Sequence, residues 1–74
     1  MGLMPTLPQT FGNRVRELRL ARGWSQEHFA DICIINRSHM GEIERGEVDP
    51  TLTTLAKIGK GLEMTAGAIL KGII

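Results

Sequence analysis

From Phe11 onward the apolar positions recur at helical intervals. Phe11, Val15 and Leu18, with Arg22 in the same register, are separated by Arg14, Arg16 and Glu17; this is an amphipathic helix that ends before Gly23. Ser25 offers a side-chain oxygen to the open amides of a new helix, and Glu27 sits where a helix dipole favours negative charge. A second, short helix is therefore expected over 26–32. Asn36 is another good N-cap, and Met40 and Ile43 share one face before Gly46, which predicts a third helix over about 37–45. Asp49 or Thr51 can cap a fourth, with Pro50 tolerated near its first turn and Leu52, Leu55, Ala56 and Ile58 as its buried face. Its end is expected to be soft, because Gly59 and Gly61 each cost about 1 kcal/mol relative to alanine in a helix interior. Thr65 caps a last helix through Leu70. No stretch alternates with period two between turn residues, so no strand is predicted and the fold class is all-α. Pro5, Pro8, Gly2 and two threonines make residues 1–10 a loose arm ahead of a domain over 11–71, and 72–74 form a short apolar tail.

A chain of 74 residues, 42% apolar and 23% charged, has the composition of one small globular domain with a single core. The lone Cys33 cannot form an internal disulfide, whereas small secreted domains usually need several, so a cytoplasmic setting is expected. Residues 1–10 lack the basic and apolar regions of a signal peptide, and no run approaches the roughly 18 apolar residues of a membrane span. Net charge is +1, unevenly spread. The four arginines before Gly23 outweigh Glu17. From Trp24 to Pro50, Glu27, Asp31, Glu42, Glu44, Glu47 and Asp49 outnumber Arg37 and Arg45, and after Pro50 three lysines face Glu63. Such a chain does not coat nucleic acid by bulk charge; any affinity for DNA must come from a localised face.

Two short capped helices joined by about four residues, 26–32 and 37–45, have the organisation of a helix-turn-helix, whose second helix can enter a major groove. Ala30 suits close approach of the two. The stretch from Phe11 to Leu70 resembles the Cro/repressor-like (XRE-type) family of phage repressors, bacterial regulators and restriction–modification controller proteins. Four features carry the likeness in order: Arg19 with Gly23; Ser25-Gln26-Glu27; Ile43-Glu44-Arg45-Gly46; and Pro50 leading to Leu55. The resemblance implies a five-helix lambda-repressor-like bundle and sequence-specific binding of double-stranded DNA by a transcription regulator. It places Arg37, Ser38 and Glu42 at base edges. Arg37 can pair with O6 and N7 of guanine, Ser38 can donate or accept, and Glu42 can accept from the amino group of cytosine. Gln26, Asn36, Arg45 and His39 are placed near phosphates, and Arg19 with Glu44 forms an ion pair bracing the first helix to the third. The alternatives are plain: Arg37, Ser38 and Glu42 as solvated polar residues, and Asn36 and Ser25 as caps alone.

The chain also departs from the family. Ile34 stands where relatives often have glycine at positive φ, which strains a β-branched residue, so the turn is expected to differ in detail. Glu47 and Asp49 would repel phosphate from the loop after the third helix, and Gly41 weakens that helix at mid-length. His28, His39 and Cys33 match no zinc or metalloprotease spacing, and Gly59, Gly61 and Gly67 fit no phosphate loop, so neither an enzyme nor a metal or other cofactor is expected. The rival reading is an antitoxin-like module that binds a partner protein. Ile73 and Ile74, following Gly72, are hard to bury fully in so small a domain, which points to a homodimer with Ile69, Leu70, Ile73 and Ile74 at its contact, on a near-palindromic operator; fraying or docking back onto the chain's own core is the alternative.

Overall fold

The computed structural model describes residues 4–74. Five α-helices follow one another, α1 (Leu7–Ala21), α2 (Gln26–Cys33), α3 (Arg37–Glu44), α4 (Leu52–Leu62) and α5 (Ala66–Leu70), and no strand occurs among the described residues. Each helix supplies the core: Phe11 and Val15 from α1, Phe29, Ala30 and Cys33 from α2, Met40 and Ile43 from α3, Ile58 and Leu62 from α4, Ile69 from α5. Burying these side chains supplies most of the drive to fold, since isolated helices this short are marginal in water.

The start of α1 differs from expectation. Rather than a loose arm through residue 10, a helix begins at Leu7, while residues 1–3 of that arm lie outside the described residues. Thr6 Oγ1 accepts from the Gln9 amide at 3.2 Å, and Gln9 Oε1 accepts from the Thr6 amide at 2.9 Å. This reciprocal box satisfies two otherwise orphan donors, and Pro8 falls within the first turn, where a missing N–H costs nothing.

Helix α1 packs on α3 and α5, and α2 packs on α3 and α4. Gly12 brings α1 and α3 to backbone contact: a Cβ there would collide with the carbonyl oxygens of Ile43 and Glu44. Behind the α1–α2 turn, Trp24 stacks on Phe29 with ring centroids 5.7 Å apart, and the Arg22 guanidinium lies 5.8 Å over the indole. Arg22 also donates to the Leu62 carbonyl at 3.0 Å, closing the C-terminal end of α4.

Helix α4 corrects two further expectations. Thr51 is the N-cap, and the buried stripe is Ile58, Gly59 and Leu62 with Leu55 half-buried, whereas Leu52 is 85% exposed and Ala56 also faces outward. Leu52 keeps the phase of the stripe but sits on the first turn, beyond the core. The helix also runs through both glycines. A Cβ on Gly59 would lie 2.8 Å from the Met64 carbonyl oxygen and one on Gly61 2.5 Å from Cys33 Sγ, so their helix-propensity cost is offset by close packing.

Ile69, expected at a dimer contact, is fully buried in the chain's own core, and its carbonyl accepts from Arg14 Nε at 3.3 Å. Within the short α5, Ile69 is the buried residue. Leu70 and Ile73 are half-buried and Ile74 is exposed, with the Ile73 amide donating back to the Leu70 carbonyl at 2.9 Å.

Candidate nucleic-acid interface

Helix α2 ends on Ile34, whose φ of 57° and ψ of 48° place it in the left-handed region. The Ile35 amide then reaches the Ala30 carbonyl at 2.9 Å and the Ile34 amide the Asp31 carbonyl at 3.2 Å. These are the two closing bonds that a left-handed residue permits at a helix end. The turn therefore keeps the conformation that glycine would adopt, contrary to the expectation that isoleucine would alter it. The strain is tolerated because Ile35 tucks against the core while Ile34 itself stays 81% exposed.

Helix α3 starts from Asn36, whose Oδ1 accepts from the Ser38 amide at 2.8 Å and the His39 amide at 3.4 Å. That leaves the Asn36 NH2 group to donate outward. Met40, Gly41, Ile43 and Glu44 form the inner face. Arg37 and Ser38 are exposed, and His39 and Glu42 are half-exposed and joined by a 3.3 Å contact between Nδ1 and Oε1. The outer face thus presents Arg37, Ser38 and Glu42 together, with Arg45 beyond the last turn.

Beneath that face lies a polar anchor. Arg19 Nε and Nη2 donate to the two oxygens of Glu44 at 2.8 and 2.9 Å, and Arg19 Nη1 donates to the Trp24 carbonyl at 2.9 Å. The hydrogen bonds from Arg19 to Glu44 push the arginine pKa further up from its ordinary value. Gln26 is drawn into the same cluster, its Nε2 donating to Glu44 at 3.2 Å. Gly41 makes room for it, because a Cβ there would lie 3.3 Å from Gln26 Oε1 and 2.8 Å from Arg45 Nη1. Glycine in mid-helix thus lets the first turn of α2 close over α3.

Two carboxylates partner arginines of this surface. Glu27 lies 3.2 Å from Arg37, and Glu47 takes both Nε and Nη2 of Arg45 at 2.9 and 3.2 Å. The latter pairing raises the arginine pKa and lowers that of Glu47. Glu47 therefore does not stand as a lone negative charge in its loop. No sequence signal pointed to Glu27 and Arg37 as partners, since the two sit on different helices. Cys33 is sealed in the core, where burial pushes its thiol up to about 11, a direction opposite to that of a reactive cysteine. Among the described residues no three His, Cys, Asp or Glu side chains gather as a metal-holding group, and no helix is long and apolar enough to cross a membrane.

Residues 10–69 match the family described as "Helix-turn-helix domain". The chain is 37% identical over 62 residues to the SPbeta prophage-derived uncharacterized HTH-type transcriptional regulator YonR of Bacillus subtilis, a match covering 84% of this chain and 57% of the relative. It is 40% identical over 53 residues to Control protein C.BamHI of Bacillus amyloliquefaciens, covering 70% and 65%. Among solved structures, the restriction-modification controller protein C.AhdI from Aeromonas hydrophila superposes with a TM-score of 0.81 at 35% identity, covering 84% of this chain and 94% of that one. The chain thus spans less than two thirds of the length of the two curated relatives and nearly all of the solved one. With the paired capped helices, the left-handed turn between them and the match across most of its length, the chain belongs to the helix-turn-helix domain family.

Proposed function

We propose that this chain is a small cytoplasmic transcription regulator that binds double-stranded DNA with α3 in the major groove. One observation carries the reading: α3 holds Met40 and Ile43 in the core and turns Arg37, Ser38 and Glu42 outward. Those three are assigned to base edges, where an arginine suits guanine and a carboxylate suits cytosine. Gln26, Asn36, His39 and Arg45 are assigned to phosphates, which set register without reading sequence. The relatives' names, transcriptional regulator and control protein, support the same reading.

The binding unit is assigned as a homodimer. Leu7, Phe11, Leu52, Leu55, Leu70 and Ile74 line one apolar groove between the start of α1, the start of α4 and the end of α5. Its rims are exposed, with Leu7 at 52% and Leu52 at 85%. A second copy offers the same apolar rims, as a two-fold contact requires. Two copies of α3 about 34 Å apart call for a near-palindromic operator with half-sites one turn apart.

Selection of duplexes from a random library tests the reading. Enrichment of a near-palindrome is expected; Arg37→Ala should relax preference at one base pair per half-site, and Gln26→Ala should weaken all sequences alike. Failure to retain any duplex at low salt would reject DNA binding and leave the partner-protein reading standing.

A further inference from the structure

Glu27, on the first turn of α2, places Oε2 3.2 Å from Nη1 of Arg37, the first residue of α3. Both side chains are largely exposed, 63% and 69%. We propose that Glu27 is a specificity-determining residue, which restrains the Arg37 guanidinium and keeps it from pairing with phosphates of arbitrary sequence. The inference rests on α3 being the base-reading helix.

The closest approach is made by Nη1, and neither Nε nor Nη2 of Arg37 makes a hydrogen bond to Glu27. A guanidinium has five donors in a rigid planar fork, so the Nη1 contact leaves Nε and Nη2 able to face O6 and N7 of a guanine. Arg45 is the contrast on the same surface: Glu47 occupies both Nε and Nη2, so the two-nitrogen edge that would read a guanine is closed and only a charge contact that sets register at a phosphate is left to it. An unpaired arginine at the start of α3 would be drawn to any phosphate, because backbone attraction is independent of sequence and supplies essentially all of non-specific binding. Beside Glu27 that gain shrinks: a phosphate must displace one anion or approach it closely. A guanine edge carries no net charge and needs no such displacement. The carboxylate therefore weakens binding to every duplex, but weakens binding to the wrong duplex more.

The test compares Glu27→Gln with a charge-matched control, Glu17→Gln on the exposed side of α1, in the full chain. Dissociation constants are measured on the selected operator, on the operator changed at the base pair that Arg37→Ala identifies, and on random duplex. Glu27→Gln should tighten random and altered duplexes more than the operator, lowering the discrimination ratio by roughly two- to fivefold, the range of an exposed ion pair. Glu17→Gln should leave the ratio unchanged. In an Arg37→Ala background the effect of Glu27→Gln on the ratio should vanish, and thermal melting should show the variants folded. Equal tightening on all duplexes, or an effect that persists without Arg37, would overturn the proposal while leaving α3 as the reading helix. A parent protein that enriches no sequence removes both.

Discussion

Arg19 and Glu44 meet through two parallel hydrogen bonds of 2.8 and 2.9 Å, tying the last turn of α1 to the last residue of α3 across 25 positions of chain. Their side chains are only 10% and 2% exposed, so each charge depends on the other for solvation. Glu44→Ala should cost about 3–5 kcal/mol, because it strands a buried guanidinium, and Arg19→Leu combined with Glu44→Leu should recover much of that loss. Urea denaturation of the parent, both single variants and the double variant checks this; single and double variants of equal stability would contradict it.

Ile34 carries a positive φ of 57° and is 81% exposed. A left-handed conformation costs an L-residue roughly 1–2 kcal/mol, which glycine avoids at some expense in chain entropy. Ile34→Gly should accordingly stabilise the protein by about 1 kcal/mol, seen as a rise in Tm of roughly 4–8 °C for a domain of this size. A lowered Tm would show that Ile34 contributes contacts outweighing its strain.

The Cys33 thiol is raised by burial from 9.0 to about 11. Because the folded state holds this proton more tightly than the unfolded state, the contribution is complete below about pH 9 and fades as pH climbs toward 11. Denaturation midpoints measured from pH 7 to 11 should fall along that limb, and Cys33→Ala, though less stable throughout, should fall less steeply. Parallel curves for the two proteins would rule out the thiol as the cause.

Leu52 stands at the first position of α4 with 85% of its surface exposed on the rim of the apolar groove. Leu52→Glu puts a carboxylate where the helix dipole favours it, so monomer stability should hold or rise slightly, while two such charges facing across a two-fold contact should oppose dimerisation. Sedimentation at micromolar concentration should show the parent as a dimer and the variant as a monomer. A variant that dimerises as well as the parent would place the contact elsewhere.

Where expectation and structure parted, the causes are particular. Thr6 and Gln9 form a readable capping box, yet Pro5 and Pro8 outweigh it when composition alone is weighed; the helix start at Leu7 follows from the hydrogen bonds and not from propensity. Leu52 and Ile69 are both aliphatic and both lie on helices, and only the packing separates the exposed one from the buried one. Gly41, Gly59 and Gly61 read as helix weaknesses until the neighbours that would meet their missing Cβ atoms are known. The partners of Arg37 and Arg45 were hidden in different ways. Glu47 is two residues from Arg45, but its place in the loop suggests only repulsion of phosphate, and Glu27 is on another helix.

The chain alone settled the number and order of the helices, because Ser25, Asn36, Thr51 and Thr65 are caps whose hydrogen bonds reach only two or three residues along the backbone. It also settled which side of α3 is apolar, since Met40 and Ile43 share a face through helical periodicity. Which charges neutralise one another, which leucine faces water and how near α2 lies to α3 were decided by the folded arrangement. Those properties depend on distances between residues far apart in the chain, and hydrophobic periodicity does not encode such distances.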